Sequence, residues 1–253
     1  MMNPFNSHAS HSRFTTHDSR LTIHHSPLTS STKQKKEIMK RILMLSSALA
    51  IFAVASAQTK GTSFGLKAGA NFQNLTGKDA FGDKLDNKLK SGLALGVNAQ
   101  IPVATDFYLQ PGIEFNQKGA KSNDGNTKVN LSYIDVPVSL VYKPLVGTGH
   151  VIFGFGPYIG FGIGGKVKGE GFESDVKFQN EVSASEVSSG NAYFKRIDAG
   201  ANIFAGYEMS NKISLQLNTQ LGLVKVNPKL QGATDDNSSV KNTGFGVSLG
   251  YRL

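Results

Sequence analysis

Charged side chains recur at alternate positions of several segments, and they are the residues of this chain best suited to chemistry. They share one face with glycine, asparagine and glutamine, whereas the opposite face is apolar. The candidates are Lys67, Glu114, Asp135, Arg196, Asp198, Glu208 and Arg252. Both signs are present, so these side chains either pair in a polar network or line a path for ions. An enclosed face favours pairing, because an unpaired buried charge is strongly destabilising.

Arrangements typical of catalysis or metal binding are weak in this sequence. His150 is the only histidine after residue 57, and a serine triad needs a histidine base with partners around it. The acidic clusters at 79–86 and 235–236 offer carboxylate oxygens to a divalent cation, but their spacing matches no calcium motif. The chain has no cysteine, which excludes disulfides and thiolate metal sites. We therefore expect no catalytic residues, no cofactor and no metal, and we predict a non-enzyme.

An export signal is predicted over residues 39–57. A basic start at 39–41 precedes an apolar stretch at 42–54, and Ala-Ser-Ala at 55–57 has the pattern that signal peptidase cleaves. The apolar stretch is shorter than the roughly 20 residues of a transmembrane helix. Residues 1–38 are rich in Ser, Thr and His, and a tract rich in histidine can bind metal. We interpret them instead as a disordered extension upstream of the true start, because a signal peptide acts from the N-terminus.

Removing this leader changes the charge of the protein. The whole chain carries +9, whereas the residues after 57 hold 20 basic and 16 acidic side chains, a net charge of +4. Nucleic-acid binding needs a concentrated basic stripe, so we expect no nucleic-acid partner.

The mature segment, 58–253, alternates between apolar and mixed residues with the period of a β-strand. Eight strands are predicted, at 63–72, 91–103, 107–118, 130–143, 150–164, 193–208, 212–226 and 242–253. Each is long enough for a tilted membrane crossing of about 9–11 residues, whereas strands of soluble sandwiches are usually about five or six residues long.

The connections between these strands alternate strictly between long and short. The long ones, at 73–90, 119–129, 165–192 and 227–241, are rich in Asn, Asp, Lys, Ser and Gly. Bacterial outer-membrane barrels have short periplasmic turns and long extracellular loops. The sequence therefore predicts an all-β fold: an eight-stranded antiparallel up-and-down transmembrane β-barrel over 58–253, following a signal peptide.

Several motifs in this region resemble the "porin family" of outer-membrane β-barrel domains of Bacteroidetes-type bacteria. They are GLKAGANF at 65–72, LQPGIEF at 109–115 followed by Lys118-Gly119, YIDVP at 133–137, GFGPY at 154–158, and DAG at 198–200 with GYE at 206–208. The resemblance covers about 63–253. It implies an integral protein of the outer membrane of a Gram-negative bacterium, without catalytic residues.

A barrel of eight strands has an interior that side chains fill. We therefore expect a packed polar lumen and a structural or interaction role through the extracellular loops. A narrow porin-like channel for small solutes or ions is the alternative, because the inner face is polar. An outer-membrane enzyme and a soluble ligand-carrying barrel are less favoured. Expected partners are outer-membrane lipid and, during insertion, the barrel-assembly machinery, while an extracellular partner is unknown.

Overall fold

The structure is a computed structural model that describes residues 61–79, 82–187, 190–232 and 237–253. The predicted extension at 1–38 and the predicted signal peptide at 39–57 lie outside the described residues. Within these ranges, no helical segment is long and apolar enough to cross a membrane. The elements are β1 (Ser63–Lys78), β2 (Asn87–Lys88), β3 (Lys90–Ala104), β4 (Phe107–Ser122), β5 (Lys128–Tyr142), β6 (Leu145–Val146), β7 (Gly149–Gly169), β8 (Phe172–Phe178), β9 (Glu181–Val182), α1 (Ala184–Val187), β10 (Ala192–Phe194), β11 (Ile197–Glu208), β12 (Ile213–Gly222), β13 (Lys229–Leu230) and β14 (Ser239–Arg252).

Eight long strands close into an antiparallel barrel. Their order around the ring is β1, β3, β4, β5, β7, β11, β12 and β14, and β14 pairs again with β1 from Gly65↔Arg252 to Lys78↔Ser239. Closure gives every barrel strand a hydrogen-bonded partner on both sides, which hydrocarbon surroundings require. The predicted fold class is confirmed.

The outward face of the barrel is apolar and unusually exposed. Its alternate positions carry large hydrophobic side chains that no other part of the described chain covers, such as Leu95, Val97, Phe155, Leu217 and Leu249 at 44–65% exposure. A soluble monomer rarely leaves so continuous an apolar surface in water. A lipid-facing belt explains it, because lumen-facing and lipid-facing residues alternate in such barrels.

Short turns lie at one end of the barrel and long connections at the other. The tight turn after β3 places Asp106 at a φ of 61°, and the turn after β11 places Lys212 at 67°. Strand β1 begins and strand β14 ends at this end, which has the short turns of the periplasmic side of such barrels. At the opposite, extracellular end the strands are longer than predicted, since β1 reaches Lys78 and β7 reaches Gly169.

The longest connection, between β7 and β11, folds back on the barrel. Strand β8 pairs antiparallel with β7, and β10 pairs in parallel with β8. The break between β10 and β11 contradicts the prediction of one strand over 193–208. A second, two-residue parallel pairing joins β9 to β13 in the β12–β14 connection.

Candidate functional site

A buried lysine lies at the centre of the polar lumen. Lys118 of β4 is 0% exposed, and its Nζ lies 2.9 Å from a carboxylate oxygen of Asp135 on β5 and 2.9 Å from one of Asp198 on β11. The ammonium group also lies 4.5 Å from the centroid of the Tyr158 ring and 5.0 Å from that of Tyr133. The Lys118 ammonium group therefore links three barrel strands, β4, β5 and β11, through ion pairs in the lumen.

Neutral side chains donate further hydrogen bonds to the two carboxylates, and only Oδ1 of Asp198 among their four oxygens is left without a partner in the described part of the chain. Asp135 accepts hydrogen bonds from Asn116 (2.9 Å) and Gln220 (2.8 Å). Asp198 accepts them from Asn242 (3.0 Å) and from the Tyr158 hydroxyl (3.3 Å). We call these residues the lumen network: Lys118, Asp135, Asp198, Asn116, Tyr158, Gln220 and Asn242.

A glycine makes room for the lumen network. Gly160 of β7 is paired with Asp135 on one side and with Asp198 on the other. A β-carbon at position 160 would lie 2.4 Å from Asp135 Oδ1. The absence of a side chain at this position lets both aspartates approach Lys118.

Two further ion pairs lie closer to the periplasmic end. Lys67 of β1 pairs with Glu114 of β4, and both side chains retain about 15% exposure. Lys143 pairs with Glu208 at 2.7 Å, with both side chains 9% exposed. Arg252 donates to Asn98 Oδ1 at 2.8 Å. These contacts place Lys67, Glu114, Glu208 and Arg252 inside the barrel, as the alternation indicates.

Arg196 does not lie with the other sequence-predicted lumen residues, which corrects that expectation. It precedes β11, which begins at Ile197, and its side chain is exposed. The guanidinium lies 5.4 Å from the centroid of the Phe178 ring in β8. The alternation of β11 does not extend to this residue because the chain bends between β10 and β11.

Sequence reasoning missed Lys118, the residue around which the lumen network is built. It follows Glu114 and Asn116 at the next inward position of β4, so the period of two contained the signal. The predicted strand ended at this residue, next to a predicted loop, and Lys118 was therefore not counted among the inner-face charges.

Apolar side chains close the extracellular end of the lumen. Leu75, Ala120 and Leu131, on the inner faces of β1, β4 and β5, are at most 5% exposed. They pack against side chains from the long connections, Val176, Phe178, Phe194 and Val226. We call these seven residues the mouth cluster. Val226 is 0% exposed, so a loop residue lies as deep in this cluster as the strand residues.

The middle of the lumen holds a cavity of about 30 Å³. Polar side chains dominate its lining, among them Lys67, Glu114, Gln110, Ser139 and Asn218. This volume accommodates about two water molecules. A small apolar cluster also packs inside the barrel. It consists of Val141 on β5, Ile152 on β7 and Phe204 on β11.

Ion pairs also occur outside the membrane-spanning part, in the β7–β8 hairpin. Lys166 and Lys168 of β7 both donate to Glu173 of β8. These hydrogen bonds lower the pKa of the exposed Glu173 carboxyl to about 2. In the described ranges, no group of three or more His, Cys, Asp or Glu side chains is arranged to hold a metal ion.

Comparison with known proteins identifies a family. The model of a family described as "Outer membrane protein beta-barrel domain" matches residues 56–227, about two thirds of the chain. No curated protein matches the sequence.

Solved structures of low identity also match. Neisserial surface protein A (NspA) is 14% identical, with 77% of this chain and 100% of that chain covered and a TM-score of 0.42. OprG from Pseudomonas aeruginosa is 12% identical, with 77% and 97% covered and a TM-score of 0.43. Ail of Yersinia pestis, in complex with the heparin analogue sucrose octasulfate, is 14% identical, with 76% and 99% covered and a TM-score of 0.38.

Proposed function

The chain belongs to the outer membrane protein β-barrel domain family, and on this premise we propose that it is a closed, non-conducting barrel with a structural or interaction role. It is located in the bacterial outer membrane. The proposal concerns what the lumen and the extracellular loops do there.

The observation that carries the proposal is the lumen network. A conducting pore needs a continuous wet path, whereas Lys118, Asp135 and Asp198 are all at most 1% exposed and bonded to one another across the barrel. A hydrated ion passing this level would have to separate charges whose mutual attraction compensates for their burial. The network therefore supports a structural role for these charges.

The mouth cluster supports the same proposal at a second level. It stacks apolar side chains between the network and the extracellular solution, and an apolar constriction of this kind excludes water and ions. Below the network, the cavity of about 30 Å³ is far smaller than the roughly 300 Å³ of even a small ligand pocket. The proposal therefore includes a non-enzymatic role, because a substrate lacks both access and room.

A closed lumen leaves the extracellular loops as the surface that can meet other molecules. Several of them have structure of their own, in the β7–β8 hairpin and in the pairing of β9 with β13. Their outer side chains are mostly charged or polar and exposed. Rigid, polar loops on a stable scaffold are a common basis for binding.

Single-channel recording tests the proposal directly. Refolded protein, checked by its heat-dependent shift on a gel, is reconstituted in planar bilayers beside a general porin as an insertion control. We expect no steady conductance from the parent or from Asp198→Asn. Reproducible conductance steps whose ion selectivity changes in Asp198→Asn would establish the narrow channel instead.

A second experiment separates the structural role from the interaction role. A deletion strain is complemented with the parent or with a variant whose loop 82–86 is replaced by Gly and Ser, and its sensitivity to detergent is measured. Rescue by both proteins favours an envelope-stabilising role. Rescue by the parent alone favours a contact made through the loop. Rescue by neither contradicts both roles.

A further inference from the structure

Four lysines form a row across the outer wall of the barrel. Lys88 of β2 lies directly opposite Lys121 of β4, Lys121 lies opposite Lys128 of β5, and Lys128 lies opposite Lys168 of β7. Facing residues on neighbouring strands have their β-carbons about 5 Å apart. We call these four residues the lysine row.

The lysine row points away from the lumen. Lys88, Lys128 and Lys168 are exposed and Lys121 is half-buried. Their neighbours in sequence, Ala120, Val129 and Val167, pack inward with the mouth cluster. Successive residues of a strand face opposite sides, so the lysines lie on the outer surface.

Like charges directly opposite one another destabilise a sheet, so the row is unfavourable within the protein alone. Lys168 is compensated by Glu173 at 2.8 Å. Within the described ranges, no ion pair joins Lys88, Lys121 or Lys128 to an acidic residue.

Two loop carboxylates, those of Asp86 and Asp124, accept hydrogen bonds from neutral donors, and the charge of Lys88 also acts on Asp124. Asp86 accepts a hydrogen bond from Asn123, and Asp124 accepts one from the Ser122 hydroxyl. Three of the four ammonium groups of the row thus make no direct ion pair within the described ranges.

The lysine row lies on the extracellular side of the apolar belt. The last apolar outward residues below it are Phe115 on β4 and Ile134 on β5, each six residues from its lysine. At about 3.3 Å per residue and a tilt near 40°, this is roughly 15 Å above the apolar belt. Lysine side chains can bend back toward the interface and so reach the headgroup layer.

The row occupies only one side of the barrel. Strand β7 continues eight residues beyond Phe161, where its pairing with β11 ends. The extended wall formed by β4, β5 and β7 carries the lysines, whereas β11 and β12 end below this height.

We propose that the lysine row binds the phosphate groups of an anionic glycolipid in the outer leaflet of the outer membrane. Phosphates relieve the repulsion between facing ammonium groups, and each lysine near an anionic lipid surface contributes about 1 kcal/mol, or roughly fivefold in affinity. The site can act whether or not the lumen conducts ions.

The test compares lipid retention by matched variants. The parent, K88Q/K121Q/K128Q/K168Q, and the control K84Q/K177Q/K212Q/K229Q are mixed in mild detergent with diphosphoryl lipid A, and the bound lipid is quantified by mass spectrometry after gel filtration. The control removes the same charge from exposed lysines outside the row. A heat-shift gel verifies that every variant is folded.

We expect the row variant to bind diphosphoryl lipid A at least about tenfold more weakly than the parent and the control. We also expect dephosphorylated lipid A to bind the parent poorly, and about 0.5 M salt to weaken binding, because exposed charges are screened. Equal retention by the row variant and the parent, or an equal loss in the control, would overturn the proposal. Displacement of lipid A by millimolar inorganic phosphate would assign the row to free anions, which also overturns the lipid site.

Discussion

The two halves of the lumen hold their charges in different ways. In the extracellular half, Lys118 and its two aspartates have exposures of 0–1% and lie beneath the mouth cluster. In the periplasmic half, Lys67 and Glu114 keep about 15% exposure beside a cavity large enough for water, and the Lys143–Glu208 pair keeps 9%. The same residue types therefore form a dry network of hydrogen bonds at one level and a partly hydrated ion pair at another.

This difference teaches that charge alone does not decide what a polar lumen does. Buried ions without water must be fully paired, so the extracellular half behaves as a rigid closure. Ions that retain water tolerate the loss of a partner, because solvent screens the one that remains. The same substitution, lysine to methionine, should consequently lower the free energy of unfolding by different amounts in the two halves.

The largest effect is expected at the lumen network. Lys118→Met removes the shared cation and leaves Asp135 and Asp198 buried beside each other. Breaking a buried ion pair in this way costs about 3–5 kcal/mol of folding free energy. Urea unfolding in phospholipid vesicles, followed by tryptophan-independent probes such as tyrosine fluorescence or gel mobility, measures the change. A loss of less than about 1 kcal/mol would remove the central role assigned to Lys118.

A smaller loss is expected in the mouth cluster. Val226→Ala removes two methyl groups from a side chain with no exposure, and we expect a loss of about 2 kcal/mol. The exposed Val224, two residues earlier in the same connection, supplies the matched control Val224→Ala. Equal stabilities for the two variants would mean that the loop does not pack into the lumen.

Loss of the lysine should destabilise the protein less at the Lys67–Glu114 pair than at Lys118. Lys67→Met leaves Glu114 with access to water, so we expect a loss of about 1 kcal/mol, well below that of Lys118→Met. The same unfolding measurement applies. A loss equal to that of Lys118→Met would erase the distinction between the two halves.

The exposed hairpin provides the smallest effect and a pH test. The pKa of Glu173 is lowered to about 2 by hydrogen bonds from Lys166 and Lys168, so K166Q/K168Q should raise it toward the usual glutamate range. A lowered carboxyl pKa stabilises the fold above the unfolded pKa, and this stabilisation is lost as the pH falls toward 2. Because solvent screens the exposed pair, we expect no measurable change in stability at neutral pH. An NMR titration of the Glu173 carboxyl in both proteins measures the shift.

The barrel could be predicted from the sequence because it depends on a local pattern, the alternation of apolar and polar residues, which is repeated in every strand. Alternation assigns each residue to a face, and the eight strands follow from it, including the inward positions of Asp135 and Asp198. Alternation does not fix where a strand ends, so the sequence prediction leaves out Lys118 and places Arg196 inside the barrel. The mouth cluster could not be predicted from the sequence. The burial of Val226 and Phe178 depends on contacts between a loop and strands distant in sequence.

Thiol labelling tests the closure of the lumen most directly, since the chain has no cysteine to interfere. Ser139→Cys places a thiol at the lining of the central cavity, and Asn123→Cys places one on an exposed extracellular turn. A charged methanethiosulfonate reagent added to the folded protein should modify position 123 rapidly and leave position 139 unmodified until the barrel is boiled. Rapid modification of position 139 in the folded barrel would contradict a closed lumen.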